Sequence, residues 1–186
     1  MTDSSDGSTA NQVMVSQEDD EPDQRLTFDV VTQSGDWQAF EPIASHLQNI
    51  SNGLVGHLRL PAADCQVCLA LCSDDAIQAM NAQYRGKDYA TNVLSFPTSG
   101  SLPSDGGELF LGDLAIADQV LHSEAAAMNI SPAAHFTHIV LHGVLHLLGF
   151  DHIEDHEALE MEALEAEILA ELGIADPYAE AELEQV

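Results

Sequence analysis

The chain has 186 residues and a formal net charge of −28, because 32 Asp and Glu residues face only 4 Lys and Arg. This length corresponds to one domain, with or without tails, and suffices for a sizeable core. Residues 1–24 lack the basic start and apolar run of a signal peptide, and no stretch is long enough to span a membrane. These features exclude a membrane protein, and we expect a protein of the cytoplasm.

The acidity of the chain has two explanations. A solvated acidic surface keeps a protein soluble, and that explanation is always available. The near absence of Lys beside ordinary core residues favours a more specific hypothesis, adaptation to a salt-rich cytoplasm. Salt would screen the self-repulsion of the surface, so the melting temperature should rise with molar KCl.

Composition divides the chain into three segments. Residues 1–25 are rich in Ser, Asp, Glu and Gln and poor in large apolar residues, which predicts a disordered acidic extension. Residues 26–175 are predicted to form the folded domain. Residues 176–186 are predicted to form an acidic C-terminal tail.

The N-terminal half of the domain begins with a strand over Leu26–Val31, where apolar and polar residues alternate. A second strand over Gln66–Leu71 is followed by a helix that starts at Ser73 or Asp74. Between the two strands, Asp36 can cap a helix. Its predicted apolar stripe is Trp37, Phe40, Ile43, Ala44, Leu47 and Ile50.

The three cysteines raise the question of a metal or redox site, because Cys65 and Cys68 have CxxC spacing and Cys72 follows. Residues three apart in a strand point to opposite faces, so this pair should not converge on one metal. We interpret all three as small buried thiols in a reducing cytosol.

The C-terminal half also mixes strands with helices. Pro97 should stop a strand, and Ser131 followed by Pro132 is a typical helix start. The predicted elements are a strand over Asn92–Phe96, a loop over Thr98–Gly107, a strand over Leu109–Ala117, and helices over 118–125, 131–148 and from Asp155 to Gly173. The last helix should carry a stripe of Leu159, Leu164, Ile168 and Leu172. About four strands and about five helices predict a single α+β domain.

Three histidines form the most informative pattern in the chain. His142 and His146 are four residues apart, so a helix places both imidazoles on one face. Gly149 can end that helix, and the following turn can bring His152 back toward the pair. Three imidazoles with an open fourth position are the ligand set of a catalytic zinc.

Two further histidines, His135 and His138, extend the same stripe and could be ordinary core imidazoles. His135 lies about 10 Å along the helix axis from His142, too far to share one ion with it. Gly143 stands where the zinc-protease motif H-E-x-x-H has its general base, which counts against a peptidase. Asp151 is a candidate to orient a ligand or to act on a water molecule, and His156 is a candidate fourth ligand of a purely structural zinc.

The segment Tyr84–Asp88 contains Arg85 and Lys87, two of the four basic residues of the chain. Either they form local salt bridges, or they bind an anionic group. The fork of Arg matches two phosphate oxygens. Zinc beside an Arg suits phosphodiester cleavage, with either water or a 2′-hydroxyl as the attacking group.

Four motifs together resemble the signature of the bacterial YbeY family of ribosomal RNA maturation factors. They are His142–His152, Tyr84–Asp88, Asn92–Pro97 and Leu111–Ile116. The resemblance covers roughly Leu26 to Gly173. It departs from the family pattern at Ala90, where Pro is frequent, and at Phe150, where Tyr is frequent.

This resemblance implies a single-strand-specific, zinc-dependent endoribonuclease acting in 3′-end maturation of 16S rRNA and in ribosome quality control. It implies a mixed sheet packed with helices and a metal site at the mouth of a cleft. By position, His142, His146 and His152 would bind one Zn²⁺, and Arg85 would be the catalytic arginine. The implied partners are single-stranded or ribosomal RNA and proteins of the small ribosomal subunit.

Several alternatives remain open at this stage. One is a metal-dependent hydrolase of another substrate, and another is a non-catalytic, zinc-containing ribosome assembly factor. Asp88, Asp113 and Asp151 are candidates for a general base or for contacts behind the ligands, and each could equally be a turn or capping residue. Lys87 joins Arg85 as a candidate phosphate-binding residue.

Overall fold

The computed structural model describes residues 24–62, 64–99, 108–151 and 154–179. Residues 1–23 of the predicted N-terminal extension, most of the predicted loop over Thr98–Gly107 and residues 180–186 of the predicted tail lie outside these residues, whereas Arg25, predicted in the extension, belongs to the first strand. The elements are β1 (Arg25–Thr32), α1 (Ile43–His57), β2 (Asp64–Cys72), α2 (Asp74–Arg85), β3 (Val93–Pro97), β4 (Leu109–Ala117), α3 (Asp118–Met128), α4 (Pro132–Leu147) and α5 (Asp155–Glu171).

The strands form one mixed sheet in the order β1-β2-β4-β3. β1, β2 and β4 are parallel to one another, and β3 runs antiparallel to β4. Helices occupy the connections between parallel strands, as such crossovers require. The predicted α+β domain is confirmed, with four strands and five helices within the described part of the chain. Within the described ranges, no helix has both the length and the apolar character to cross a membrane.

The sheet separates two clusters of buried side chains. Leu114 and Ile116 of β4 face the main core, whereas Ala115 and Ala117, at the alternate positions, face a smaller cluster under α2. Helices α1 and α4 cover the main core, and α5 packs against both of them. Each fully buried large apolar side chain contributes roughly 1.5–3 kcal/mol. Helix α4 is therefore held between the sheet and α5.

The helix predicted from Asp36 is wrong in its first part. A single 3-10 turn over Gln38–Phe40 comes first, and α1 begins only at Ile43. Pro42 has no backbone N–H and disfavours a helical conformation of the residue before it, so one helix cannot run through this point. Ala44, predicted on the apolar stripe, is exposed.

The cysteines are free thiols, and the predicted burial is confirmed for Cys65 and Cys72 but not for Cys68. Cys65 is fully buried in the main core, whereas Cys68 is half-buried and lines a cleft on the opposite side of the sheet. Burial raises the pKa of the thiols of Cys65, Cys68 and Cys72, which disfavours the thiolate that a metal would bind.

The apolar stripe predicted for α5 is wrong at Leu159, which is 68% exposed. The inward face of the helix carries Met161 and Leu169 instead. Residue 165 lies halfway between these two, at four-residue spacing from each, so it faces inward as well. That position is occupied by Glu165, a fully buried carboxylate, and this is the first sign of a polar site behind α4.

Candidate active site

Helix α4 begins as the sequence predicts. The Ser131 side chain accepts a hydrogen bond from the backbone N–H of Ala134 at 3.1 Å, and Pro132 occupies the first turn. Gly143 then brings the helix close to the sheet. A Cβ at this position would lie 2.9 Å from Leu114 Cδ2 and 3.3 Å from Val93 Cγ2. The position that holds Glu in the zinc-protease motif thus faces the sheet here and cannot supply a base.

The C-terminal end of α4 is closed by a Schellman motif. Gly149 adopts a φ of 96°, a conformation that a residue with a side chain rarely takes. Its N–H donates to the His146 carbonyl at 3.1 Å, and the Phe150 N–H donates to the Leu145 carbonyl at 3.0 Å. This turn folds the chain back over the last turn of the helix. The Phe150 carbonyl oxygen then lies 3.0 Å from His146 Nδ1.

His142 and His146 converge as predicted. Their Nε2 atoms are 3.1 Å apart, and both side chains are half-buried. His142 Nδ1 lies 2.8 Å from Glu165 Oε1. Because a carboxylate and a carbonyl only accept hydrogen bonds, Nδ1 of each ring must donate, which leaves the lone pair on Nε2. Both Nε2 lone pairs are therefore directed into the same small region.

The pair has the donor chemistry of a zinc site. Two imidazole nitrogens bound tetrahedrally at the usual Zn–N distance are about 3.3 Å apart. The observed 3.1 Å is close to that separation. No three His, Cys, Asp or Glu side chains are grouped to hold a metal ion among the described residues, and His152 lies outside them. The structure thus describes two of the three predicted ligands, and these two fit.

Glu165 is the residue that sequence reasoning missed. Its other oxygen, Oε2, lies 3.4 Å from His138 Nε2 and accepts a short hydrogen bond from the Tyr178 hydroxyl. Burial by itself would raise the pKa of Glu165, but the hydrogen bonds from His138, His142 and Tyr178 outweigh it and hold that pKa at about 2. Burial and the charge of Glu165 raise the pKa of Tyr178.

A signal for Glu165 was present in the sequence. An acidic residue between Leu164 and Ile168, on a helix that also carries Met161 at i−4, falls on the inward face. Buried carboxylates are rare unless they are paired, so such a position indicates a partner such as an imidazole.

Three further histidines lie on α4 and α5, and each has its own partners or exposure. His135 is 1% exposed, and its Nε2 lies 2.7 Å from Glu124 Oε2, so it is a core histidine. His138 packs edge-on against Tyr178, with ring centroids 5.9 Å apart. His156, the candidate fourth ligand, is exposed in the first turn of α5.

Asp151 lies beside a cleft at the C-terminal end of α4. The cleft has a volume of about 290 Å³ and is lined by Leu148, Gly149, Phe150, Asp151, Glu157 and Glu160. Asp151 is half-buried. Of the three candidate aspartates, it is the one that follows the histidine helix directly.

Arg85 is the last residue of α2, and both Arg85 and Lys87 are exposed. Neither forms an ion pair with any residue in the described part of the chain. The local salt bridge, which was the alternative explanation for these two cations, is therefore not observed there. By contrast, Arg25 pairs with Asp64 at 2.8 Å.

The loop after α2 is held by two side chains of that helix. The Asn81 amide donates to the Tyr89 carbonyl at 2.8 Å, and the Gln78 amide donates to Asp88 Oδ1 at 2.9 Å. Gly86 has a φ of 69°, as a left-handed helix cap. Asp88 therefore has a structural role in this loop.

Asp113 lies in a different place from the histidines. It is exposed on β4 and lines a cleft of about 400 Å³ together with Cys68, Tyr84 and Phe96. The rings of Tyr84 and Phe96 meet edge-on at 5.2 Å. This cleft opens on the α2 side of the sheet, whereas the histidine helix covers the other side.

Comparisons with known proteins agree with this fold and these motifs. A family model described as endoribonuclease YbeY matches residues 32–173. The endoribonuclease YbeY of Rhodospirillum rubrum is 45% identical over 157 residues, which cover 79% of this chain and 78% of the relative. That of Rhizobium meliloti is 40% identical over 165 residues, with 83% and 96% covered.

Two further comparisons are consistent with these. The endoribonuclease YbeY of Pseudomonas putida is 50% identical over 130 residues, with 69% of this chain and 82% of the relative covered. The solution structure of protein TM1509 from Thermotoga maritima superposes with a TM-score of 0.53 at 22% identity, covering 85% of this chain and 93% of that one. This last likeness supports the fold alone.

These matches place the protein among the endoribonucleases, hydrolases that cut RNA phosphodiester bonds, as the motifs predict. The chain belongs to the endoribonuclease YbeY family. The predicted role in ribosomal RNA processing follows from that membership.

Proposed function

We propose that this protein is a single-strand-specific, zinc-dependent endoribonuclease that matures the 3′ end of 16S rRNA and acts in ribosome quality control. One Zn²⁺ per chain would be bound by His142, His146 and His152. The observation that carries the proposal is the 3.1 Å approach of the two Nε2 atoms, each on a ring whose Nδ1 is hydrogen-bonded elsewhere.

The chemistry of the site would combine a metal with a cation. A zinc ion supplies Lewis-acid chemistry when bound, because it polarises a phosphoryl oxygen or lowers the pKa of a water molecule. Arg85 would bind two oxygens of the scissile phosphate and stabilise the charge that develops on it. Lys87 would bind a neighbouring phosphate. That both cations are exposed and lack an ion pair with any described residue supports their availability to RNA.

The base is assigned by position. Asp151 is our first candidate because it follows the histidine helix and lines the cleft at its end. Asp88 accepts a hydrogen bond from Gln78, and Asp113 does not line this cleft, so we rank them lower. Both water and a 2′-hydroxyl are compatible with these groups as the attacking nucleophile.

The acidic surface limits how RNA can bind. A chain with only 4 Lys and Arg cannot contact many phosphates, so RNA affinity should depend less on salt than is usual for nucleic-acid-binding proteins. Binding would be local to Arg85 and Lys87. Proteins of the small ribosomal subunit would deliver the substrate in the cytoplasm.

The test is cleavage of a labelled fragment from the 3′ end of 16S rRNA by the full chain across a KCl series. Zinc-loaded and zinc-stripped wild type are compared with Arg85→Ala. Arg25→Ala is the matched control, since it also removes one exposed Arg but lies in an ion pair on β1.

We expect cuts in single-stranded regions that disappear in zinc-stripped protein and fall at least about 100-fold in Arg85→Ala, as for loss of one charge-stabilising donor. Arg25→Ala should cleave like wild type. Stoichiometric zinc binding without cleavage at any salt concentration would contradict the nuclease proposal and favour an assembly factor.

A further inference from the structure

We propose that Glu165 and Tyr178 are positioning residues that hold His142 in its metal-binding tautomer, so that the segment after α5 is part of the metal site. The proposal rests on the proposed function in one respect, the assignment of His142 as a ligand. It concerns a carboxylate and a hydroxyl that lie on the Nδ1 side of His142, behind the nitrogen proposed to bind the metal.

Glu165 of α5 contacts His142 of α4. Glu165 is 0% exposed, and its Oε1 lies 2.8 Å from His142 Nδ1. A buried carboxylate is stable only where donors satisfy it, so Nδ1 of His142 is kept protonated. The ring can then offer only Nε2 to a metal, and its negative partner stabilises the positive charge that an imidazole gains on binding one.

The other oxygen of the Glu165 carboxylate also has partners. Oε2 is held by the Tyr178 hydroxyl and by His138 Nε2 at 3.4 Å. With both oxygens engaged, the carboxylate cannot rotate away from His142. Tyr178 thereby fixes the Glu165 carboxylate, whose other oxygen contacts His142 on α4.

Two turns after α5 bring Tyr178 to the site. Gly173 has a φ of 72° and turns the chain at the end of α5. Asp176 Oδ1 then accepts a hydrogen bond from the Tyr178 N–H at 2.8 Å, which closes a tight turn. The ring lies edge-on against His138, with an interplanar angle of 89°. The segment over residues 176–179, which composition alone assigns to an acidic tail, therefore contacts the histidine helix.

A purely structural role for Glu165 is the competing explanation, and a second imidazole–carboxylate pair, between α4 and α3, offers a matched control. His135 Nε2 and Glu124 Oε2 are 2.7 Å apart and also join a buried imidazole to a carboxylate. That pair touches no proposed ligand. A change in Glu124 should lower stability without any specific effect on metal binding.

The experiment uses the full chain and Zn²⁺ itself. The zinc dissociation constant is measured by competition with a chromophoric chelator for wild type, Glu165→Gln, Tyr178→Phe and Glu124→Gln. In the metal-free proteins, side-chain ¹⁵N chemical shifts report the tautomer of His142. Circular dichroism reports folding.

We expect zinc affinity to fall about 10- to 100-fold in Glu165→Gln, as for loss of a partner behind a ligand. Tyr178→Phe should lower it in the same direction by a smaller factor. Both variants should show His142 as a mixture of tautomers, whereas Glu124→Gln should match wild type in both measurements.

Wild-type zinc affinity and an unchanged His142 tautomer in Glu165→Gln and Tyr178→Phe would overturn the proposal. If Glu165→Gln fails to fold, Tyr178→Phe decides, because it removes one hydroxyl only. Tight zinc binding without RNA cleavage would contradict the proposed function and leave this inference standing. A wild type that binds no zinc would overturn the assigned metal site, and the tautomer measurement would still decide whether Glu165 and Tyr178 position His142.

Discussion

At the residue scale, Glu165 shows which part of the site the sequence could not reveal. The histidine pair follows from local spacing, because four residues are one helical turn. The partners of Glu165 lie 23 and 27 residues before it and 13 residues after it, at His142, His138 and Tyr178. Only the packing of α5 against α4 brings them together. Sequence alone can mark Glu165 as unusual without identifying what it binds.

The depressed pKa of Glu165 predicts how stability depends on pH. The folded value of about 2 lies below the ordinary 4.5. The ionised carboxylate therefore stabilises the fold above about pH 4.5, and this contribution is lost as pH falls from there to about 2. The shift corresponds to about 3 kcal/mol. Urea unfolding of metal-free wild type should show this loss, and Glu165→Gln should not.

The measurement compares the free energy of unfolding of wild type with that of Glu165→Gln at each pH. Only this difference isolates Glu165, because the chain has many other carboxylates. Parallel curves for wild type and Glu165→Gln would show that Glu165 has an ordinary pKa. Glu124→Gln again provides the control, since it breaks a similar imidazole–carboxylate contact that does not include Glu165.

At the scale of elements, local signals located the histidine helix well. Ser131 and Pro132 marked its start, and Gly149 marked its end, so the predicted helix over 131–148 agrees with the observed α4 to within one residue at each end. Sequence failed where a local rule was overridden. The apolar pattern after Asp36 was interrupted by Pro42. The apolar residues of α5 did not decide which face of the helix points inward, and Leu159 is exposed in the packed structure.

The end of α4 carries a prediction of its own. Gly149→Ala should cost about 1 kcal/mol in stability, because a φ of 96° strains any residue with a Cβ. Apart from its chain neighbours, no described residue has an atom within 4 Å of the added carbon, so no clash with them adds to this cost. Zinc affinity should also fall several-fold, since the same turn brings the Phe150 carbonyl to His146. Urea unfolding and chelator competition measure the two effects.

Gly86→Ala is the matched variant for this prediction. Gly86 has a φ of 69° at the end of α2, and an added Cβ there would likewise meet no atom within 4 Å among the described residues beyond its chain neighbours. It should lose comparable stability while zinc affinity stays unchanged. Equal losses of zinc affinity in both variants would show that the Gly149 turn has no specific link to His146.

At the scale of the whole molecule, the composition of the chain singles out the rare basic residues, whereas only the fold reveals the cleft beside Asp113. Scarcity of Lys and Arg marked Arg85 and Lys87 as unusual, and their exposure agrees with that interpretation. The cleft beside Asp113 was beyond sequence reasoning, because its lining combines residues from four strands and from α2 that are far apart in the chain. The separation of Asp113 from the histidines follows from the two faces of the sheet in the same way.

The net charge of −28 predicts a strong response to salt. Raising KCl from about 0.1 to about 1 M shortens the screening length from about 10 to about 3 Å, which weakens repulsion between surface carboxylates. The melting temperature should therefore rise steeply over this range, as followed by circular dichroism. A flat curve would contradict adaptation to a salt-rich cytoplasm.

The close approach of Gly143 to Leu114 has a consequence for hydrogen exchange. The backbone around both proposed ligands lies in a buried stretch of α4, where Gly143, Val144, Leu145 and Leu147 are all buried. Amides in such a segment exchange with solvent mainly when the whole domain opens, whereas those at frayed ends exchange through local openings. Deuterium uptake at residues 143–147 should thus follow global unfolding, and zinc bound to this segment would slow exchange throughout the core.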